Sequence, residues 1–142
     1  DDALEHFDTV LRRPMGDEPI YMLGKAKAQF GLGRYEDAVA TLEELTGTHP
    51  NFDSAEGHLL YARSLEMVGR TRQALTEYDV VSQYFPGPEA RVRYGMLLMA
   101  MGRMAEGRAV FSEVLERIGR MPKYVRKVEA EWIALAEKGL KI

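Results

Sequence analysis

"GRYEDA", at residues 33–38, returns as "GRTRQA" at 69–74 and as "GRMAEG" at 102–107. The spacings between the three copies are 36 and 33 residues, and each copy follows an apolar stretch. Self-similarity at such a period is the sequence signature of repeat architectures. The repeated Gly-Arg pair therefore decides the fold class of the whole chain.

Each Gly-Arg copy separates two amphipathic stretches. Around the second copy the apolar residues recur every three or four positions, as on one face of a helix: Leu59, Ala62, Leu65 and Val68 before it, and Ala74, Tyr78 and Val81 after it. These stretches lack the strict alternation that is typical of a strand. The sequence therefore predicts a repeating unit of helix, tight turn and helix.

Small residues explain how the two helices of each unit meet. Gly33, Gly69 and Gly102 are predicted to end the first helices with a positive φ, which glycine adopts at little cost. Five positions later come the small residues that let the second helix lie close to the first: Ala38, Ala74 and Gly107. Pro50 and Pro86 are predicted to end the second helices of the first two units, because proline cannot continue a helix.

This pattern resembles the tetratricopeptide repeat, a helix-turn-helix unit of 34 residues. Three units cover about residues 19–52, 55–88 and 88–121. Residues 1–14 resemble the second helix of a truncated repeat, and residues 122–139 resemble an amphipathic capping helix anchored by Trp132. The resemblance implies one all-α domain over residues 1–142. Its expected architecture is a right-handed α-solenoid of three helix pairs, with a leading helix and a C-terminal capping helix.

Two units depart from the family pattern. The first has polar Lys25 and Gln29 where the family usually has large apolar residues. The third has Gly107 in place of alanine. The arginine that follows each turn glycine is predicted to be a solvated turn residue without a role of its own.

The residue types argue against several chemistries. There is no cysteine, which excludes disulfides and thiolate metal sites. The histidines His6, His49 and His58 lack metal-binding spacing, and neither a nucleophile elbow nor a phosphate loop is present. We therefore predict no catalytic residue, no metal and no other cofactor, and the chain is not expected to be an enzyme. A net charge of −3 disfavours nucleic acid, and no apolar run is long enough for direct membrane insertion.

The resemblance also implies a binding surface. In this family the first helices line a concave groove, where ligands usually dock. The matching positions here are predicted to bind a protein or peptide: Ile20, Leu23, Lys27, Phe30, Leu59, Arg63, Glu66, Val92, Met96 and Met99. Lys27 and Arg63 are expected to be exposed cations that pair with an acidic partner, and Leu59 is expected to be an exposed apolar anchor.

Charge distribution leaves a second function open. Residues 1–56 carry a net charge of −7 and residues 117–142 carry +4. The two ends could meet different partners, meet each other through self-association, or be solvated helix faces. The leading hypothesis is a non-catalytic module that binds a protein segment. The alternative is an architectural, self-associating scaffold domain of a larger protein.

A second resemblance concerns location. "YFPGPEARVRYGMLLMAMGR" with "MPKYVRKVEAEWIALAEK" is similar to the C-terminal part of small bacterial tetratricopeptide proteins that have a hydrophobic N-terminal segment. It implies a cytoplasmic domain that is tethered to the inner membrane through a segment upstream of Asp1.

Overall fold

A computed structural model describes residues 18–142, and this part of the chain is all-helical, with no strand. It has eight α-helices: α1 Glu18–Gly31, α2 Tyr35–Thr48, α3 Ala55–Met67, α4 Thr71–Ser82, α5 Glu89–Ala100, α6 Met104–Gly119, α7 Lys123–Val128 and α8 Ala130–Leu140. The predicted leading helix, and with it the truncated repeat at 1–14, lies outside the described residues. The expected all-α fold is confirmed for residues 18–142.

The chain divides into two compact units, Asp1–Ala74 and Leu75–Ile142. The structure describes residues 18–74 of the first, here called unit 1, and all of the second, unit 2. Helix α4 contributes its first turn to unit 1 and the rest to unit 2. The predicted single domain over 1–142 and its repeat boundaries stay a prediction.

All three Gly-Arg turns have the same backbone hydrogen bonds. In the first, the N–H of Gly33 donates to the carbonyl of Phe30 at 2.9 Å, and the N–H of Arg34 donates to that of Gln29 at 2.8 Å. This is a Schellman motif, which satisfies carbonyls at a helix end and needs a left-handed residue after the helix. Gly33, Gly69 and Gly102 supply it with φ values of 77°, 84° and 81°. The predicted positive φ is confirmed at all three turns.

The arginine of each turn pairs with the side chain three residues ahead. Its Nε donates to an acceptor in the first turn of the second helix: Arg34 to Asp37 at 2.9 Å, Arg70 to Gln73 at 2.6 Å and Arg103 to Glu106 at 2.8 Å. The sequence repeats this spacing as Arg-x-x-Asp, Arg-x-x-Gln and Arg-x-x-Glu. The arginines are solvated turn residues as predicted, and the local hydrogen bond that each one makes was not predicted.

The core of unit 1 lies between α1, α2 and α3. Its apolar cluster comprises Met22, Leu23, Ala26, Leu42, Leu45 and Leu60. Polar Gln29 is also buried, and its side-chain oxygen accepts a 2.7 Å hydrogen bond from the buried hydroxyl of Thr41. That pair joins α1 to α2. The side-chain oxygen of Gln29, polar where the family usually has a large apolar residue, therefore has a hydrogen-bond partner within the core.

The core of unit 2 is built around Phe111 of α6, which is 1% exposed. Val92, Val114 and Ala136 complete its buried cluster, and Trp132 and Leu135 of α8 pack against it. The predicted role of Trp132 as an anchor of the cap is confirmed by this contact.

Glycines make room for the Phe111 ring. A β-carbon added at Gly95 of α5 would lie 2.5 Å from Cε1 of Phe111, and one added at Gly139 of α8 would lie 2.6 Å from Cδ2. One added at Gly107 would lie 2.7 Å from the side chain of Met99. The close helix packing predicted from small residues thus occurs in unit 2 with glycine in place of alanine.

The capping segment differs from the single helix that was predicted. It consists of α7 and α8, separated at Glu129, whose φ and ψ are −95° and 15°. Helix α7 has no buried residue, whereas α8 buries Ala136 and Gly139. Only the second part of the segment therefore contributes to the core.

Candidate partner-binding surface

Three of the predicted binding residues lie in the cores. Leu23 and Leu59 of unit 1 are 8% and 5% exposed, and Val92 of unit 2 is fully buried. The expectation that Leu59 is an exposed anchor is wrong, and the same correction applies to Leu23 and Val92. The physical reason is that these three positions of the first-helix stripes pack against neighbouring helices, whereas Ile20 and Met96 of the same stripes stay exposed.

The remaining predicted residues of unit 1 lie at its surface. Ile20 is 59% exposed. Lys27 forms an ion pair with Glu56 of α3, and the guanidinium of Arg63 lies over the ring of Phe30, 4.6 Å from its centroid. The two predicted cations are therefore already engaged within unit 1, rather than being free for a partner.

Glu66 and Phe30 complete the predicted set in unit 1. Glu66 is exposed near the C-terminal end of α3. Phe30 is half-buried, packs against the core of unit 1 and meets the ring of Tyr35 edge-on, with centroids 5.0 Å apart. Phe30 is thus held in place by its own unit and presents one face to Arg63.

In unit 2 the structure places Met96 and Met99 beside an apolar cavity of about 250 Å³. Met96 is 45% exposed, and Met99 is half-buried. The other lining residues come from α6, α8 and the chain end: Phe111, Leu135, Lys138, Gly139 and Ile142. The cavity, which we call the methionine pocket, therefore combines first-helix residues with the cap.

Sequence reasoning missed the cap side of the methionine pocket. Leu135 and Lys138 both lie within the predicted capping helix at 122–139, and that helix was assigned no part in partner binding from the sequence. The signal in the sequence is Gly139, a glycine near a helix end without a positive-φ turn to make, which lets Phe111, another lining residue, pack against α8.

Two ionisable groups near the last Gly-Arg turn have shifted pKa values. A hydrogen bond from Arg103 lowers the pKa of the Glu106 carboxyl, although that side chain is exposed. Burial raises the pKa of the Tyr94 phenol, and the negative charge of Asp79 raises it further. Both effects belong to the turn and its helices, and neither group lines the methionine pocket.

Among residues 18–142 there is no group of three or more His, Asp or Glu side chains that could hold a metal ion. No helix in this part of the chain is long and apolar enough to cross a membrane. What the described surface offers is apolar side chains beside a pocket, and such surfaces are used to bind other molecules.

Solved structures of bacterial proteins share this fold. PcrH of Pseudomonas aeruginosa, in complex with the chaperone-binding region of PopB, has a TM-score of 0.74 at 17% identity, covering 92% of this chain and 100% of that one. The type III secretion chaperone SycD of Yersinia enterocolitica, with a peptide of the translocator YopD, has a TM-score of 0.70 at 17% identity, covering 88% and 94%.

A third similar structure is a thermophilic tetratricopeptide repeat protein of Thermus thermophilus. Its TM-score is 0.74 at 19% identity, with 100% of this chain and 73% of that chain covered. No curated protein sequence matches the chain significantly. The family model of the tetratricopeptide repeat matches residues 1–56 and 59–122. Taken with the repeated turns and helix pairs, that match shows that the chain belongs to the tetratricopeptide repeat family.

Proposed function

We propose that the protein is a non-catalytic interaction module that binds a peptide segment of a partner protein. The observation that carries the proposal is the methionine pocket, where Met96 is 45% exposed beside an apolar cavity of about 250 Å³. An aliphatic or aromatic side chain of a partner would be buried there. Met96 and Met99 are unbranched and adaptable, so they suit side chains of different shapes.

Structural neighbours support a peptide as the ligand. PcrH binds the chaperone-binding region of PopB, and SycD binds a peptide of YopD. Both have the same fold as this chain, although at 17% identity they support the class of ligand and not its sequence. We therefore propose a protein segment as the partner, and its sequence is to be found by selection from a peptide library.

The surface of unit 1 is proposed as an additional contact region. Ile20 offers exposed apolar area, while Lys27 and Arg63 are held by Glu56 and Phe30. An acidic group of a partner would have to compete with Glu56 for Lys27. Exposed charge pairs contribute about 0–1 kcal/mol, so unit 1 should affect association rate and specificity more than affinity.

A pair of exposed methionines provides the test. Met96 lines the pocket, whereas Met101 is similarly exposed, at 51%, and does not line it. Peptides would be selected from a displayed random library against the full chain, and their affinity measured by fluorescence anisotropy. We expect Met96→Glu to weaken binding at least about tenfold, because it puts a charge at an apolar site. Met101→Glu should leave binding unchanged.

The result against the proposal would be an equal effect of the two substitutions, or no library peptide that depends on Met96. Thermal melts of both variants provide the folding control. Because both side chains are exposed, we expect melting temperatures close to that of the unchanged protein.

Self-association remains the second candidate function. It is favoured by the opposite charges of the chain's two ends and by the dimer described for SycD. Sedimentation velocity over a range of protein and salt concentrations tests it. A concentration-dependent dimer that dissociates in salt, together with no selected peptide, would favour the architectural role.

We also keep as a proposal a cytoplasmic location with tethering to the inner membrane upstream of Asp1. It rests on the sequence resemblance alone. Fractionation of cells that express the full-length protein, with and without the residues that precede Asp1, tests it.

A further inference from the structure

Unit 2 has a second and larger cavity, of about 410 Å³. It lies beside the loop between α4 and α5, next to α6 and α7. Most of its walls are apolar: Phe85, Pro86, Pro88, Val114, Ile118, Met121 and Val125. Its volume falls in the range of about 300–1,000 Å³ that is typical of ligand pockets. No residue predicted from the repeat pattern to bind a partner lines it.

Polar groups line the same cavity at two places. Arg91 and Arg117 both bind the carboxylate of Glu113, at 2.9 Å and 3.0 Å, so two guanidinium groups share one negative charge. The carboxylate of Glu129 lies beside Gly87, since a β-carbon added to that glycine would be 3.3 Å from its Oε1. The cavity therefore offers both hydrogen-bond donors and an acceptor around an apolar interior.

The segment that borders this cavity is strongly basic. Residues 117–128 contain five lysines and arginines and no acidic residue. Arg117 and Arg120 form ion pairs with Glu113 and Glu116 of α6. Lys123, Arg126 and Lys127 are exposed, and within residues 18–142 none of the three forms an ion pair. Three uncompensated positive charges thus lie along one short helix.

Exposed apolar side chains accompany these charges. Tyr124 is 72% exposed and Val128 is 78% exposed, while Met121, at 46%, continues into the cavity. Helix α7 buries none of its residues, so its sequence is not explained by core packing. Positive charge with exposed apolar area and an adjoining pocket is an arrangement that complements an acidic segment containing an apolar residue.

We propose that α7 and the adjoining cavity form a second binding surface, for an acidic peptide segment that inserts one apolar side chain into the cavity. The acidic residues of that segment pair with Lys123, Arg126 and Lys127. Its backbone N–H groups donate to Glu129. This surface shares no lining residue with the methionine pocket, so it goes beyond the function proposed above.

A peptide fits these observations better than a membrane or a nucleic acid. A bilayer surface has no side chain to insert into a concave cavity, and a helix of six residues offers little area for insertion. A phosphate backbone has no apolar side chain to place in the cavity. Both alternatives nevertheless enter the test as competing ligands.

The experiment uses the full chain and a fluorescein-labelled synthetic peptide, in which aspartates and glutamates flank one Leu-Phe pair. We expect Arg126→Glu with Lys127→Glu to weaken binding at low salt by about tenfold, as two reversed exposed charges would. Arg108→Glu with Lys141→Glu is the matched control, since it makes the same charge reversal at exposed positions of the same unit that line neither cavity. It should leave the affinity within about twofold.

Val125→Phe tests the cavity separately, because it adds volume to a lining side chain without changing charge. It should weaken the Leu-Phe peptide severalfold and leave a peptide with Ala-Ala at those positions unaffected. The inference would be overturned if the two charge-reversal pairs had equal effects, or if Val125→Phe left the affinity for the Leu-Phe peptide unchanged. It would also be overturned if phosphatidylglycerol vesicles or single-stranded DNA bound more tightly than the peptide. Melting curves of every variant show whether a loss of binding is a loss of folding.

Discussion

Substitution of Gly139 by alanine should destabilise unit 2, although alanine is the better helix former. Gly139 lies in the last turn of α8, and Phe111 of α6 lies against it. The added β-carbon would lie 2.6 Å from Cδ2 of the ring, whereas ordinary contacts begin near 3.4 Å. The opposite edge of the ring packs closely against Gly95, where an added β-carbon would be 2.5 Å from Cε1. The ring therefore cannot move away from Gly139 without meeting α5.

The size of the effect follows from two opposing contributions. Forcing an extra carbon into a packed core costs about 1–3 kcal/mol. Replacing glycine by alanine within a helix stabilises it by about 1 kcal/mol at most. The difference lies between about 0 and 3 kcal/mol, and we expect the free energy of unfolding to fall by an amount in the middle of that range, about 1–2 kcal/mol. For a chain of this length that corresponds to a decrease in melting temperature of roughly 3–8 °C.

Trp132 makes the assay specific to unit 2. It is the chain's one tryptophan, it packs against the Phe111 cluster, and the guanidinium of Arg93 lies 4.9 Å from its ring centroid. Its fluorescence during thermal or urea unfolding reports the loss of that packing. Gly119→Ala is the control, because a β-carbon there meets nothing within 4 Å. The control should melt at the same temperature as the unchanged protein or slightly above it.

A double substitution sharpens the test. Phe111→Leu removes ring atoms that the new methyl group would meet, so its combination with Gly139→Ala should be less destabilised than the sum of the two single changes. The steric reasoning would be refuted if Gly139→Ala melted at or above the temperature of the unchanged protein. It would also fail if the two changes were simply additive.

Two further predictions concern polar pairs. Thr41→Val should destabilise unit 1 by about 1–3 kcal/mol in urea unfolding, because it leaves the buried amide of Gln29 without its partner, and adding Gln29→Leu should recover part of that loss. The pKa of Glu106 should lie below the usual glutamate range in an NMR titration and rise in Arg103→Gln, because the hydrogen bond favours the charged form. Since that pKa is depressed by folding, its contribution to stability is present above the ordinary carboxyl pKa and is lost as the pH falls through the folded value; an unchanged pKa in Arg103→Gln would contradict the assignment.

The turns were predictable because their determinants are local. The end of a helix and the positive φ of the glycine after it depend on residues within one short stretch. The repeated Gly-Arg pair was therefore enough to predict all three turns. The residue that accepts the arginine's hydrogen bond, three positions ahead, was also visible in the sequence. Whether the two side chains meet, however, depends on the direction they take at the start of a helix. The cap's break at Glu129 was not predictable, because no glycine or proline marks it.

The binding surface was predicted less well than the fold. The positions that line the groove in the family pointed to one stripe of residues on each first helix. They did not show which residues of that stripe face the neighbouring helices of this chain. Leu23, Leu59 and Val92 are therefore in the cores, while Met96 is exposed. The methionine pocket also depends on contact between α6 and α8 around Phe111, which joins residues far apart in the sequence.

The Gly-Arg turns also have a kinetic consequence. Every bond that closes the first turn joins residues at most five positions apart, from the Arg34 N–H bound to the Gln29 carbonyl to the Arg34 side chain bound to Asp37. Such short-range contacts require little loop-closure entropy, and chains rich in them fold fast. We therefore expect each helix hairpin to form early in folding. The contact of α8 with Phe111 should form later, because α8 is distant from Phe111 in the sequence. The rate of the final step should depend on that long-range docking and not on the turns.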